Sequence, residues 1–266
     1  MLMVIALYLA LGAFAGLVAG LFGIGGGLII VPVLIFSFEA QGMPVEYLTH
    51  MAVATSLATI VITSMSSVRA HHAKGAVDWP LFRSLTLGIL VGAMLGVNTA
   101  MLLPGHVLQM IFGVFALLVA LQMAFSLHPK QSGEAPTGIE LKCAGGVIGW
   151  ASSIFGIGGG TLSVPYLTWR RQEMRRAVAT SAACGLPIAV MGALTNVWVG
   201  LDKPLPEWSL GYVYLPAFLG IVISSSLFAG VGARLAHKLP QSVLKKCFAA
   251  FLFVIAIRFL VVNWVL

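Results

Sequence analysis

Charge is what this sequence has least of. Only 9% of its 266 residues are charged, while 59% are hydrophobic; a soluble domain carries about a quarter charged residues. Water is therefore excluded as the main solvent. Cysteine is equally sparse: Cys143, Cys184 and Cys247 stand far apart without a CxxC pair, which argues against a disulfide framework or a zinc site. Enzyme signatures are missing as well. A P-loop needs lysine after its glycines, yet Leu28 and Thr161 stand there, and the dinucleotide fingerprint needs a third glycine at those same positions. No HExxH occurs, and His71-His72 falls in a polar loop. No catalytic residue, metal or cofactor is expected.

What is present is apolar sequence in blocks near the length of a bilayer crossing, about 20 residues. The blocks include Leu2 to Leu21, Thr86 to Leu103, Val107 to Leu127, Val178 to Val199, Tyr212 to Val231 and Val243 to Val265. The chain reads as an all-α polytopic membrane protein with the lipid bilayer as its surroundings. The first block lacks the basic flank of a signal peptide and has a counterpart in mid-chain, so it is expected to be retained. A net charge of +7 does not point to nucleic acid; basic residues gather in cytoplasmic loops of membrane proteins.

The chain repeats itself. FGIGGG stands at Phe22 to Gly27 and again at Phe155 to Gly160, Val31-Pro32 recurs as Val164-Pro165, AVATS at Ala52 to Ser56 recurs at Ala177 to Ser181, and Pro104 matches Pro240. Two related halves, residues 1–128 and 142–266, are thus joined by a polar linker at 129–141.

Loop charge relates the halves. The loop from Ser37 to Thr49 holds Glu39 and Glu46 and no basic residue, whereas its counterpart from Arg170 to Arg176 holds Arg170, Arg171, Arg175 and Arg176 against Glu173. The next pair reverses: Arg69, Lys74 and Arg83 stand against Asp78, while Lys203 stands against Asp202 and Glu207. With residues 69–83, 128–142, 170–176 and 234–246 inside, every Lys and Arg except Lys203 and Arg258 is cytoplasmic, and both termini lie outside. The halves are therefore expected to be inverted-topology repeats, an arrangement common in secondary transporters. Inversion needs an odd number of crossings per half. Clear spans lie near 50–68, 84–103 and 107–127, then 177–199, 212–233 and 241–264, so each glycine region supplies a hairpin. Its arms are a helix (2–21 or 142–155) and a short returning helix (about 25–37 or 158–169). Hydropathy leaves open whether the short arms are re-entrant or spanning.

Glycine permits left-handed backbone and close approach of a ligand. A helix beginning after such a turn offers free N–H groups and the positive end of its dipole to an anion. The candidate substrate-binding residues are therefore Gly23, Gly25, Gly26, Gly27, Gly156, Gly158, Gly159 and Gly160. Thr55, Ser56, Thr180 and Ser181 join them as hydroxyl donors to oxyanion oxygens, and Asn196 as a further donor. Two glycine ladders, Gly12, Gly16 and Gly20 and then Gly88, Gly92 and Gly96, read as helix-packing faces instead. No carboxylate falls within an expected span, so a proton, if coupled, travels with the substrate or uses His50 or His106. The arginines at the inner mouth serve orientation.

GIGGG followed by Val-Pro, then A-x-x-T-S opening the next helix, all duplicated, resembles the TauE/SafE family of sulfite exporters. The likeness covers nearly the whole chain. It implies a bacterial inner-membrane carrier of sulfite or organosulfur anions, with the alternatives of an anion channel or a carrier of another small organic anion. The family's A-x-G-T-S reads AVATS in both copies, with Ala54 and Ala179 at the glycine position. Substrate, direction, coupling ion and oligomeric state are left open.

Overall fold

The computed structural model describes residues 2–22, 26–125, 138–236 and 241–264. The first half supplies α1 (Leu2–Phe22), α2 (Gly27–Ala40), α3 (Val45–Ala73), α4 (Trp79–Met101) and α5 (Gly105–Ala124). The second supplies α6 (Gly138–Phe155), α7 (Gly160–Trp169), α8 (Met174–Gly200), α9 (Leu215–Ala236) and α10 (Gln241–Trp264). Among the described residues six helices, α3, α4, α5, α8, α9 and α10, contain stretches long and apolar enough to cross a membrane. The protein is an all-α polytopic membrane protein.

Local chemistry sets the helix boundaries. Pro44 and Pro104 hold extended backbone immediately before α3 and α5, as expected of a residue with fixed φ and no N–H to lose. The Asp78 carboxylate accepts from Leu81 N–H at 3.1 Å and caps α4. Gly42 takes φ +68° after α2, where Met43 N–H reaches back to Phe38 O at 3.1 Å.

Two features depart from the sequence reading. The helix α6 begins at Gly138, inside the segment read as linker, with Glu140 in its first turn and paired with Arg170; the carboxylate suits the positive end of the helix. Residues 129–137 of that linker lie outside the described residues. A two-residue antiparallel pairing, β1 (Ser209–Leu210) with β2 (Val213–Tyr214), precedes α9; Gly211 at φ +53° makes its turn.

The halves exchange partners. The helix α1 packs along α9, α4 packs along α6, and α3 and α5 pack against their own counterparts α8 and α10. The short helix α2 lies on α3, and α7 lies on α8. The glycine ladders are packing faces, as expected. A methyl at Gly16 would meet the Ser225 backbone at 2.5 Å, and one at Gly88, Gly92 or Gly96 would overlap the carbonyl of Lys142, Gly146 or Trp150. Lipid tails are as apolar as leucine, so close backbone packing supplies the attraction that water supplies elsewhere.

Side-chain contacts define two ends of the bundle. At one, His50 Nε2 lies 3.0 Å from Ala100 O, and Tyr212 packs against both His50 and Tyr47. Gln109 Nε2 donates to Thr49 Oγ1, and Asn263 Nδ2 donates to Gln109 Oε1, each at 2.9 Å. Arg258 belongs to this end too: it pairs with Glu39 at 2.9 Å and covers the Phe36 ring. At the other end Asp78 meets Thr180, and Arg170 meets Glu140.

Gly92→Ala is expected to lower stability by about 1–3 kcal/mol through overpacking. Gly146→Ala should be near neutral, because a methyl there meets nothing closer than Gly88 O at 3.8 Å. Thermal unfolding of the two purified variants checks the contrast.

Candidate functional site

The helix breaks fall where the glycines are. In the second half α6 stops at Phe155 and α7 starts at Gly160. Gly156 takes φ +64°, a conformation closed to most side chains, and Ile157 N–H returns to Ser152 O at 3.0 Å. In the first half α1 ends at Phe22, and Gly26 caps α2 by accepting from Ile30 N–H at 2.8 Å. Gly23 and Gly25 lie outside the described residues.

The start of α2 touches the second turn. A Cβ on Gly27 would sit 2.6 Å from both Gly156 O and Ile157 Cα, and one on Gly159 would sit 2.7 Å from Ser181 O and 2.9 Å from Gly185 N. Gly156 in turn backs onto Val53 of α3. These three glycines are demanded by backbone-to-backbone approach. Gly26 and Gly158 are not: their only near neighbours are the side chains of Ile30 and Ile60. Gly26, Gly158 and Gly160 are half-buried, so backbone at the junction is open to a small ligand.

Both Thr-Ser pairs are fully buried beside this junction. Thr55 Oγ1 accepts from Tyr214 N–H at 3.0 Å, and Thr180 Oγ1 accepts from Asp78 N–H at 3.0 Å. Each threonine thus holds the residue that precedes the fourth helix of the opposite half. The hydroxyl protons are not consumed, since a hydroxyl both accepts and donates. Ser56 donates to Gly156 O at 2.8 Å, bracing the opposite half's turn. Ser181 Oγ is buried and has no partner among the described residues.

Asn196 is 1% exposed, and its Nδ2 donates to Gly192 O at 2.8 Å. The sequence reading makes Asn196 a donor to the ligand; its unpartnered atom is instead the acceptor Oδ1. Ser152, Ser153 and Ser163 are likewise buried with unpartnered hydroxyls, and the sequence reading passed over them. A signal was available in the repeat itself. Aligned on FGIGGG, Thr161 and Ser163 stand where α2 has Leu28 and Ile30, and Ser152-Ser153 stand where α1 has Ala19-Gly20.

The junction therefore combines a helix N-terminus with neutral hydroxyls. The first N–H groups of α7 have no partner within the helix, and its dipole places partial positive charge there. Among the described residues no Asp, Glu, Lys or Arg side chain is buried, and no group of three or more His, Cys, Asp or Glu is placed to hold a metal ion. Such a site can coordinate a small anion by dipoles and hydroxyls, but it offers no nucleophile–base pair. A cavity of about 590 Å³ lies elsewhere, between α4 and α8, lined by Met94, Asn98, Met191, Thr195 and Trp198. It faces outward, with Trp198 77% exposed.

Comparison with known proteins follows the same line. A family model described as sulfite exporter TauE/SafE matches residues 8–259. The chain is 40% identical over 256 residues to a probable membrane transporter protein of Haemophilus influenzae, an alignment covering 96% of this chain and 97% of that protein. It is 29% identical over 248 residues to a probable membrane transporter protein of Methanocaldococcus jannaschii, covering 92% and 91%. No solved structure matches it. Matched along nearly its whole length and built of bilayer-crossing helices, the chain belongs to the TauE/SafE sulfite exporter family of membrane transporters.

Proposed function

We propose that the protein is a secondary carrier, working as an exporter, of sulfite or a related small organosulfur anion, held at the junction of the two glycine turns. The observation that carries this reading is the N-terminus of α7, where Gly159 lies against the backbone of Ser181; the Ser181 hydroxyl is buried with no partner among the described residues, and no carboxylate among them is buried. Gly26, Gly158 and Gly160 let the anion reach backbone N–H groups, and the hydroxyls of Thr55 and Thr180, which accept and so keep their protons, complete the wall; Ser56, expected as a donor, instead gives its proton to Gly156 O. Dipoles aimed into a water-poor site are worth more than in water.

Alternating access between inverted halves, residues 1–128 and 142–266 joined by 129–141, is the mechanism we favour. Three contacts support the inversion. The start of α3 lies beside Ala100 and Tyr212, the start of α8 lies beside Asp78, and α3 packs on α8, the contacts that oppositely directed equivalents would make. The Arg258–Glu39 pair supports the sidedness, since it sets an otherwise stray cation beside the acidic loop read as external. We place the protein in the bacterial cell membrane, with 69–83, 128–142, 170–176 and 234–246 in the cytoplasm and both termini outside.

Ser181→Ala should leave thermal stability unchanged, because no native hydrogen bond is lost, yet weaken sulfite binding about tenfold or more, the value of one hydrogen bond to a charged group. Ser56→Ala should lower stability by about 1 kcal/mol through loss of the bond to Gly156 O. Sulfite flux and labelled counterflow in proteoliposomes test the carrier. Saturable exchange is expected, while flux that never saturates and shows no counterflow would identify a channel.

In a variant stripped of its native cysteines, Lys203→Cys should react with an impermeant maleimide on intact cells. Lys130→Cys should react only after permeabilisation. The reverse pattern would sink the sidedness.

A further inference from the structure

We propose that the two short arms have unequal roles: α2 is clamped as a fixed seal, and α7 is the arm that moves as the anion enters and leaves. The inference rests on the carrier reading above and assigns its moving part.

Both arms follow GIGGG, and both carry Val-Pro, as Val31-Pro32 and Val164-Pro165. Neither glycine nor proline therefore accounts for a difference between them. Yet α2 is buried along most of its length, from Gly27 to Phe38, whereas in α7 only Ser163 and Leu167 are buried. The far ends differ most. Phe38 is fully buried in a cluster of three rings. Its centroid lies 6.4 Å from that of Tyr8 and 5.7 Å from that of Tyr214, and those two lie 6.0 Å apart, all edge to face. Gln41 Nε2 donates to Tyr8 Oη at 2.7 Å. Arg258 pairs with Glu39 and covers Phe36, whose ring packs on Phe259. A half-exposed ion pair alone is worth little; the cation over a ring adds to it. The end of α2 is thus held by α1 of its own half and by Tyr214 and α10 of the other.

At the end of α7 the repeat replaces these groups. Arg171 stands for Phe38, Gln172 for Glu39, and Gln122 for Arg258. Arg171 is exposed and left-handed at φ +64°. The helix α7 rests mainly on α8 and α6 of its own half, and Arg170 at its end pairs with Glu140 of α6. Fewer buried contacts lower the free energy of local opening. The anion is read as sitting at the α7 tip, so the loosely held arm is also the one that a bound anion touches, and binding can shift its position.

Backbone hydrogen exchange of the full-length chain in lipid nanodiscs, with and without sulfite, tests this. Amides of residues 161–169 should exchange at least about tenfold faster than those of 28–38, a difference within the range of local opening, and sulfite should slow α7 alone. Arg258→Gln should raise exchange at 34–40 and leave α7 unchanged. Equal protection of the two arms, the same sulfite response in both, or an Arg258→Gln effect on both or on neither would overturn the inference. Sulfite flux in proteoliposomes separates the two claims: with flux intact, those outcomes remove only the unequal roles, whereas absence of flux removes the carrier as well. The wild-type comparison decides even if the variant does not insert.

Discussion

A peptide group that loses its helical partner inside a bilayer finds no water to replace it. Breaking a helix there is tolerable only if another part of the protein receives the freed groups, and this constraint shapes the whole molecule. The chain breaks two helices at glycine, and the first half covers the second break. Gly27 lies against the carbonyl of Gly156, and Ser56 donates to that same carbonyl. A side chain at Gly27 would overlap the Gly156 carbonyl, and one at Gly156 would meet Val31 and Val53. The duplicated motif is thus a single joint made in two pieces.

The exchange of partners follows from this joint. Two halves that meet at their turns must also cover each other's flanks, and they do so crosswise: α1 with α9, α4 with α6. The threonines of the repeated AVATS complete the exchange by holding Tyr214 and Asp78, each at the threshold of a helix belonging to the other half. A carrier that rocks one half against the other would have to exchange the cross-half bonds of Thr55, Thr180, Ser56 and Gln109 and the Arg258–Glu39 pair. The ladders of glycine give smooth contact along α1–α9 and α4–α6, where side chains would interlock.

Much of this was legible in the sequence, for reasons that differ by feature. Helices and their ends were readable because apolar length, Pro44, Pro104 and the glycines act locally. The ladders at Gly88 to Gly96 were readable because helical spacing alone defines a face. The role of Thr55 was hidden, since its partner Tyr214 is distant in sequence and no local pattern announces it. The β1–β2 turn was hidden because two residue pairs make too weak a pattern. Asn196 was half legible: its depth in the second half marked it as polar and inward, but which amide atom it offers depends on Gly192 O, a fact of tertiary geometry. The serines of the second half were legible and went unread, because comparison of the repeats sought likeness when their differences carried the information.

Those differences bear on how an anion could be held and still let go. A buried arginine would bind a sulfur oxyanion firmly, but in a low-dielectric interior the unpaired cation left after release is expensive. Neutral hydroxyls and helix N–H groups avoid that penalty, because their empty state costs hydrogen bonds and not an ion's solvation. Conduction and carriage both require binding strong enough to admit the ligand and weak enough to release it. The described arginines accordingly stay out of the core: Arg258 is committed to Glu39, and Arg170 to Glu140. With no Asp, Glu, Lys or Arg side chain buried among the described residues, the site proposed above would select by weak donors and acceptors, and the buried serine hydroxyls without a described partner belong to the second half. In that proposal the first half, apolar at Leu28 and Ile30, would form the facing wall.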